Sequence, residues 1–436
     1  MNGIVEIQGG KKLKGKVKPI ANKNAVVAAL PAALLTKERV VYKDIPQTSD
    51  VDKILQIMEK LGAEVKREGG RVEIKADNLN SYKIDEELGG QFRASLMFVG
   101  PLLARMGKAR IPLPGGCVLG FRSISGHVDV FRKAGVKVEL EDDSVYFEAA
   151  EKLEDSYRVW QLEASVTATE NLLMYAAGAQ TQIEIVDAAA EPHVVELQEL
   201  LQRMGAKIEG LGSNKVKVTG TKDLGGSEFT PGPDFVDVAG FMVAAAVTDG
   251  EIRILGANKS GVMDGLIDWF GLFGVEVDKD GDDMVVRRGE GGLKYDLSGR
   301  YPMAADNLPK LYPRPWPGFP VDVIPVMATL ACKTKGRLML KNWMYESGFD
   351  FVRELNSMGG DIVMADPQRI LIQGPVSFTG GEVAPPRVIQ ATKAVFLAAL
   401  ADDTKTVIHG VDILKRRYPD IISVYKKLGA EIKSEV

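Results

Sequence analysis

Cysteine is almost missing from this chain: its 436 residues contain only Cys117 and Cys332, which excludes a disulfide framework. No tract of low complexity interrupts it. The first residues, Met1-Asn2-Gly3-Ile4-Val5-Glu6, hold no basic stretch followed by an apolar one, so no secretory leader is expected. Its apolar stretches are broken by Gly, Pro or charge before they reach the length of a membrane-spanning helix, so no membrane insertion is expected either. A net charge of −4 leaves no global footprint for nucleic acid, and an anionic ligand would have to be met by local Lys and Arg. The composition that remains, 45% apolar and 26% charged, suits a cytoplasmic globular protein long enough for two cores.

What the chain does have is a phrase used six times. An apolar residue, a glycine and usually a small residue introduce an alternating apolar strand at Leu61-Gly62-Ala63, Ala134-Gly135-Val136, Met204-Gly205-Ala206, Phe273-Gly274-Val275, Met358-Gly359-Gly360 and Leu428-Gly429-Ala430. The glycines are 73, 70, 69, 85 and 70 residues apart, a period longer than that of solenoid repeats, so each copy can be a complete module with its own sheet and helices. Before the first glycine, Val51, Ile54, Leu55, Met58 and Leu61 fall at helical spacing behind Asp50, which reads as the N-cap. Gly62 then takes the left-handed conformation that closes a helix. Val194, Leu197, Leu201 and Met204 repeat this grammar, as do Ile421, Val424, Tyr425 and Leu428. After each glycine come two short strands around a polar turn, as in Val138-Glu139-Leu140, Asp142-Asp143-Ser144 and Val145-Tyr146-Phe147, which predicts a β-hairpin.

Each copy carries a second, more apolar helix, over Asn24 to Leu35, Arg93 to Arg105, Thr169 to Ala177, Phe235 to Val247, Val321 to Ala331 and Gln390 to Ala401. Rich in Ala, Val, Leu and Met with few charges, these helices are expected to be buried nearly all round. The unit is therefore strand, buried helix, strand, outer helix, hairpin. Three units packing their buried helices together, with sheets outside, make one α/β domain, and six copies make two. The helix-breaking Thr230-Pro231-Gly232-Pro233-Asp234 separates units three and four, with a matching crossing at Lys18-Pro19-Ile20-Ala21. Units one to three then span 21–231, and 1–20 with 232–436 carry units four to six. Two linkers of this kind form a hinge, and the cleft it closes is the expected active site.

Loops at fixed places in the repeats carry the candidate chemistry. In Pro114-Gly115-Gly116-Cys117-Val118-Leu119-Gly120-Phe121-Arg122 a thiol sits on a glycine-rich loop. A free Cys is commonly a small buried hydrophobe. On a mobile loop it is instead exposed, and Arg122 with His127 would lower its pKa. Cys332, inside an apolar helix, reads as core. Lys23 and Asn24 head the first buried helix, where a cation beside free helix-terminal N–H groups suits a phosphate or carboxylate. Asp322 occupies the equivalent place in unit five, either as an N-cap or as a functional group.

These motifs resemble the enolpyruvyl transferase family. The resemblance covers essentially the whole chain and rests on Lys23-Asn24-Ala25, Phe92-Arg93-Ala94-Ser95, Leu113-Pro114-Gly115-Gly116-Cys117, Ser165-Val166-Thr167-Ala168-Thr169-Glu170-Asn171, Trp316-Pro317-Gly318-Phe319-Pro320-Val321-Asp322 and Tyr345-Glu346-Ser347. It implies two inside-out α/β domains. It also implies transfer of the enolpyruvyl group of phosphoenolpyruvate to the 3-hydroxyl of UDP-N-acetylglucosamine, with release of phosphate, as the first committed step of peptidoglycan synthesis. On that basis Cys117 is the general acid at the methylene carbon and the thiol that fosfomycin alkylates, and Asp322 accepts the hydroxyl proton. Lys23, Arg122 and Arg416 hold the phosphoenolpyruvate, while Asn24, Arg93, Ser165 and Val166 contact the UDP-sugar. The partners are these small molecules. No cofactor and no metal is called for, because fixed cations take the metal's place.

The chain also departs from the family pattern. Gly348 follows Tyr345-Glu346-Ser347 where the family usually has an arginine, and Val388-Ile389-Gln390 stands where Asp-Leu-Arg or similar is usual. Arg387 and Arg417 are the candidates to compensate. Ser125 replaces an aspartate typical near the uracil ring, and Thr167 replaces a common glycine. Three further readings stand beside transfer to UDP-N-acetylglucosamine: a related transferase with a different nucleotide or alcohol acceptor, a non-catalytic UDP-sugar-binding paralogue, and another use of the same fold, such as an RNA-end cyclase.

Overall fold

The structure is a computed structural model that describes residues 3–90, 93–113, 123–259, 261–298 and 308–435. They divide into two compact units, one of Met1–Ile20 with Pro233–Val436 and the other running from Ala21 to Gly232. Each unit has three core helices. In the Ala21–Gly232 unit these are α1 (Lys23–Ala32), α2 (Val99–Met106) and α3 (Val166–Gly178); in the other they are α4 (Phe235–Val247), α5 (Ile324–Lys333) and α6 (Ile389–Ala401). All thirteen residues of α4 are buried, and it packs against both α5 and α6. A helix apolar on every face has no side to show to water, so its neighbours must surround it.

Three sheets accompany the core helices of each unit. The third repeat shows the plan most simply. Strand Ser156–Trp160 leads into α3, then Gln182–Val186 runs parallel to it, helix Pro192–Met204 follows, and a hairpin of Lys207–Glu209 and Lys215–Thr219 closes the sheet. Other repeats borrow strands. Ser227–Phe229 completes the first repeat by pairing parallel with Arg39–Tyr42. At the far end of the chain, Ile4–Gln8 lies between Lys405–His409 and Glu431–Glu435, antiparallel to both. Among the described residues the second repeat has three strands, with a parallel bridge between Lys83 and Arg110 where its fourth would lie.

The six repeat glycines all have positive φ, from 78° at Gly135 to 116° at Gly205. At Gly62 a Cβ would also lie 2.5 Å from the Asn78 carbonyl oxygen, so conformation and space both demand glycine. Helix beginnings differ from the periodicity. Arg93–Phe98 and Val321–Val323 are 3₁₀ turns, and the α-helices begin only at Val99 and Ile324. Pro101 and Pro325 explain the shift: proline lacks a donor and fits the first turn of an α-helix, not its interior. Asp50 is not the N-cap of helix Ser49–Lys60. Thr48 holds that place, while the Asp50 carboxylate, almost fully buried, pairs with Lys23.

Helices α2 and α3 approach closely at Gly100, whose N–H donates to Asn171 Oδ1 at 2.9 Å. A Cβ there would sit 2.2 Å from the Asn171 carbonyl oxygen, a backbone atom that no rotamer change can move. Gly100→Ala is expected to cost about 1–3 kcal/mol in urea unfolding. Gly265→Ala, in a helix with open space around the added methyl, should stay within about 0.5 kcal/mol.

Candidate active site

In the Ala21–Gly232 unit, the candidate residues gather at the heads of the core helices. Asn22 caps α1, its side-chain oxygen accepting from the N–H groups of Asn24 at 3.0 Å and Ala25 at 3.3 Å. Lys23 is therefore the first helical residue, with its Nζ 2.5 Å from Asp50 Oδ2. The Lys23 side chain is 12% exposed, so the pair holds the ammonium at the helix start with little freedom. Asn24, beside it, is half-buried. Arg93 opens the turn before α2 and donates from Nη2 to the Ser123 carbonyl at 2.9 Å. Ser165 is the N-cap residue of α3 and Val166 its first residue, both half-buried, and the Ser165 hydroxyl makes no capping bond.

His127 and Thr167 bind helix Ser125–Lys133 to α3. His127 is buried, with Nδ1 3.3 Å from Asn171 Nδ2 and Nε2 3.0 Å from Thr167 Oγ1. The amide nitrogen can only donate, so Nδ1 accepts and Nε2–H donates to the threonine. Burial, reinforced by the Arg93 charge, pushes the imidazole pKa down to about 3. The ring is neutral at physiological pH, so the expected help from a positive His127 in activating Cys117 does not arise. Cys117 and Arg122 themselves, like Phe92, lie outside the described residues. Cys332 is fully buried in α5, and burial pushes its thiol up to about 12.

The other unit carries Asp322 in the 3₁₀ turn Val321–Val323 ahead of α5. Neither that turn nor α5 receives a side-chain cap, so the capping reading of Asp322 fails. The carboxylate is one-third exposed, and its Oδ2 lies 3.5 Å from Arg417 Nη1. Arg417 is buried and forks onto Asp234, Nε to Oδ2 and Nη2 to Oδ1, both at 2.8 Å. Asp234 caps α4, accepting from the N–H groups of Val236 at 2.9 Å and Asp237 at 3.3 Å. Burial works against its charge, but the guanidinium and the helix amides keep its carboxyl below the usual range. One turn on, Asp237 accepts from Lys393 Nζ at 2.7 Å, and that nitrogen stands 3.8 Å from the Tyr418 ring centroid. Burial draws the Lys393 ammonium below its ordinary value, opposed by Asp237. Arg416, one residue before Arg417, is exposed. Among the described residues no group of three or more His, Cys, Asp or Glu side chains is arranged to hold a metal ion.

The chain matches the EPSP synthase (3-phosphoshikimate 1-carboxyvinyltransferase) family over residues 7–425. It belongs to that family. It is 36% identical over 431 residues to a UDP-N-acetylglucosamine 1-carboxyvinyltransferase of Treponema denticola, covering 98% of both chains. The protein of the same name from Borreliella burgdorferi is 35% identical over 429 residues with the same coverage. Among solved structures, the enolpyruvyl transferase NikO from Streptomyces tendae superposes with a TM-score of 0.86 at 22% identity over 99% of each chain. An EPSP synthase from Acinetobacter baumannii gives 0.76 at 17% identity over the full length of both. At such identities the likeness speaks for the fold, here the two-domain, inside-out α/β architecture of enolpyruvyl transferases.

Two positions named as departures from the usual pattern, Gly348 and Gln390, have close neighbours in the structure. At Gly348, a Cβ would lie 2.2 Å from Asn342 Nδ2 and 2.8 Å from its Cγ, so the buried Asn342 fills the space an arginine would need. Gln390 is buried and donates from Nε2 to the Tyr418 hydroxyl at 3.3 Å. Of the two compensating candidates, Arg387 forks onto Asp412 at 2.6 and 3.2 Å, and Arg417 is committed to Asp234 and Asp322. The sequence names Asp234 only as the end of a helix-breaking stretch, and nothing in it singles out Asn22, Asp237 or Lys393.

The neutral His127 has a pH signature. Its folded pKa lies below the ordinary value of about 6.5, so the unfolded chain takes up the proton first as pH falls. Its contribution to stability is complete above about pH 6.5 and declines by about 1.4 kcal/mol per pH unit down to about pH 3. In NMR, the His127 ring signals should hold still between about pH 8 and pH 5. A midpoint near 6.5 would show a solvated ring able to carry charge.

Proposed function

We propose that this enzyme transfers the enolpyruvyl group of phosphoenolpyruvate to the 3-hydroxyl of UDP-N-acetylglucosamine and releases phosphate. The observation that carries this reading is end-to-end identity of 36% to a relative named for that reaction. In the addition step, Asp322 takes the hydroxyl proton as the oxygen attacks C2 of phosphoenolpyruvate, and Cys117 delivers a proton to the methylene carbon, making it a methyl. Elimination removes a proton from that methyl and expels phosphate, which restores the double bond. Lys23, Arg122 and Arg416 hold the anionic donor. Asn24, Arg93, Ser165 and Val166 hold the UDP-sugar, and the α3 N-terminus offers unsatisfied N–H groups to its phosphates. A base for the alcohol and an acid for carbon are the two groups that the chemistry requires. We place the reaction in the cytoplasm, as the first committed step of peptidoglycan synthesis. No helix among the described residues is long and apolar enough to cross a membrane.

A second reading, transfer to a different nucleotide or alcohol, draws on Ser125. Its hydroxyl is in a short contact with Ser123 Oγ at the start of helix Ser125–Lys133, so the acceptor meets hydroxyls where an aspartate is usual.

Phosphate release from phosphoenolpyruvate, with and without UDP-N-acetylglucosamine, tests both. Release that depends on the sugar and disappears in Asp322→Ala supports the first reading. Release with another nucleotide and not with the amino sugar transfers the case to the second. Retained UDP-sugar binding with no release for any acceptor points to a binding paralogue. Fosfomycin is expected to label Cys117 and spare Cys332, whose buried thiol is held in its unreactive form. Mass spectrometry of peptides reads the outcome, and labelling at Cys332 alone would remove Cys117 from the mechanism.

A further inference from the structure

We infer that Arg417 is a positioning residue for the reaction, holding one oxygen of Asp322 so that the other is presented to the acceptor hydroxyl. The inference deepens the proposed function and rests on Asp322 as its base. Its warrant is the geometry of a guanidinium that cannot turn. Two of the three Arg417 nitrogens are taken up by the fork onto Asp234 at 2.8 Å each. Asp234 is itself immobilised, fully buried and bonded to the first-turn amides of α4. The backbone of Arg417 is tied as well, its N–H donating to the Leu414 carbonyl at 3.0 Å. With the plane of the fork fixed at both ends, the direction of Nη1 is fixed too, and Asp322 Oδ2 lies 3.5 Å along it.

The pairing of charges explains why this contact orients Asp322 without neutralising it. In this cluster each of the two buried carboxylates has a cation of its own: Arg417 for Asp234, and Lys393 for Asp237. Asp322 is the third carboxylate and the exposed one, and it shares a guanidinium already matched elsewhere. At 3.5 Å the contact is at the outer limit of a hydrogen bond, so it restrains the carboxylate more than it saturates it. Oδ2 faces the buried cation and Oδ1 remains for the substrate. Lysine cannot replace this arrangement, because one ammonium cannot fork a carboxylate and aim a third donor elsewhere.

Removing Arg417 alone would orphan a buried Asp234, so the test uses two variants. Arg417→Lys keeps a charge. Asp234→Asn with Arg417→Met removes both charges, which is tolerated better than leaving one unpaired, and asparagine still caps α4. The expected result in purified full-length enzyme is a fall in kcat of about tenfold or more. KM for both substrates should stay within about twofold, with melting temperatures close to the parent. In an Asp322→Asn background the same changes should lower the residual single-turnover rate no further, because residues acting as a unit are not additive. Parental kcat in the folded double variant overturns the inference, as does an equal further loss in the Asp322→Asn background. If Asp322→Asn alone keeps parental activity, the base assignment itself falls and takes the positioning role with it. An inactive Asp322→Asn beside a fully active double variant leaves the base standing and removes only Arg417.

Discussion

The core helices of each unit are enclosed by protein, so a full charge carried into that interior is stable only beside a partner. An unpaired buried charge is among the most damaging defects a fold can hold. The rule explains the Asp234–Arg417 fork and the Asp237–Lys393 pair, both inside a unit whose core helices are largely apolar. It also explains Gly240 on α4, where a Cβ would lie 2.5 Å from Lys393 Cε. The glycine leaves a channel through which a long side chain reaches Asp237.

The same enclosure decides where function can reside. The middles of the core helices are closed, so chemistry is left to their beginnings, where backbone N–H groups are free and the next residue back is already in a loop. The candidate residues obey this without exception among the core helices. Lys23 and Asn24 open α1, Arg93 the turn before α2, Ser165 and Val166 the start of α3. Asp234 caps α4, Asp322 sits in the turn before α5, and Val388 and Gln390 flank the start of α6. Sixfold repetition of one unit thus produces six related positions, which sequence divergence has filled with a cation, a fork, hydroxyls and carboxylates.

This explains which features the sequence made legible. The repeat glycines were readable because positive φ excludes most other residues, and the core helices because they are apolar throughout. The outer-helix cap was misread because Thr48 and Asp50 both suit an N-terminus, and only the nearness of Lys23 decides what Asp50 does. The buried ion network was hidden for another reason. Lys393 is a single charge in an apolar helix, and its partner Asp237 is 156 residues away, so no local pattern announces the pair. Arg416 and Arg417 are adjacent and chemically alike, yet one is exposed and the other 4% exposed. A short 3₁₀ turn has too few residues for periodicity to tell them apart.

The missing arginines and the buried cations are parts of one arrangement. Gln390 donates to the Tyr418 hydroxyl, and the face of that ring receives Lys393. An arginine at position 390 would bring a second positive charge to a ring that already faces one. At position 348 the obstacle is volume, since Asn342 occupies the place of a Cβ. The guanidinium near Asp322 comes instead from Arg417, which is anchored to Asp234. Binding of the donor carboxylate then falls, in our reading, to cations outside the buried network, Arg416 first among the described residues of this unit. In that reading, the guanidinium beside Asp322 serves to hold a carboxylate and not to bind the donor.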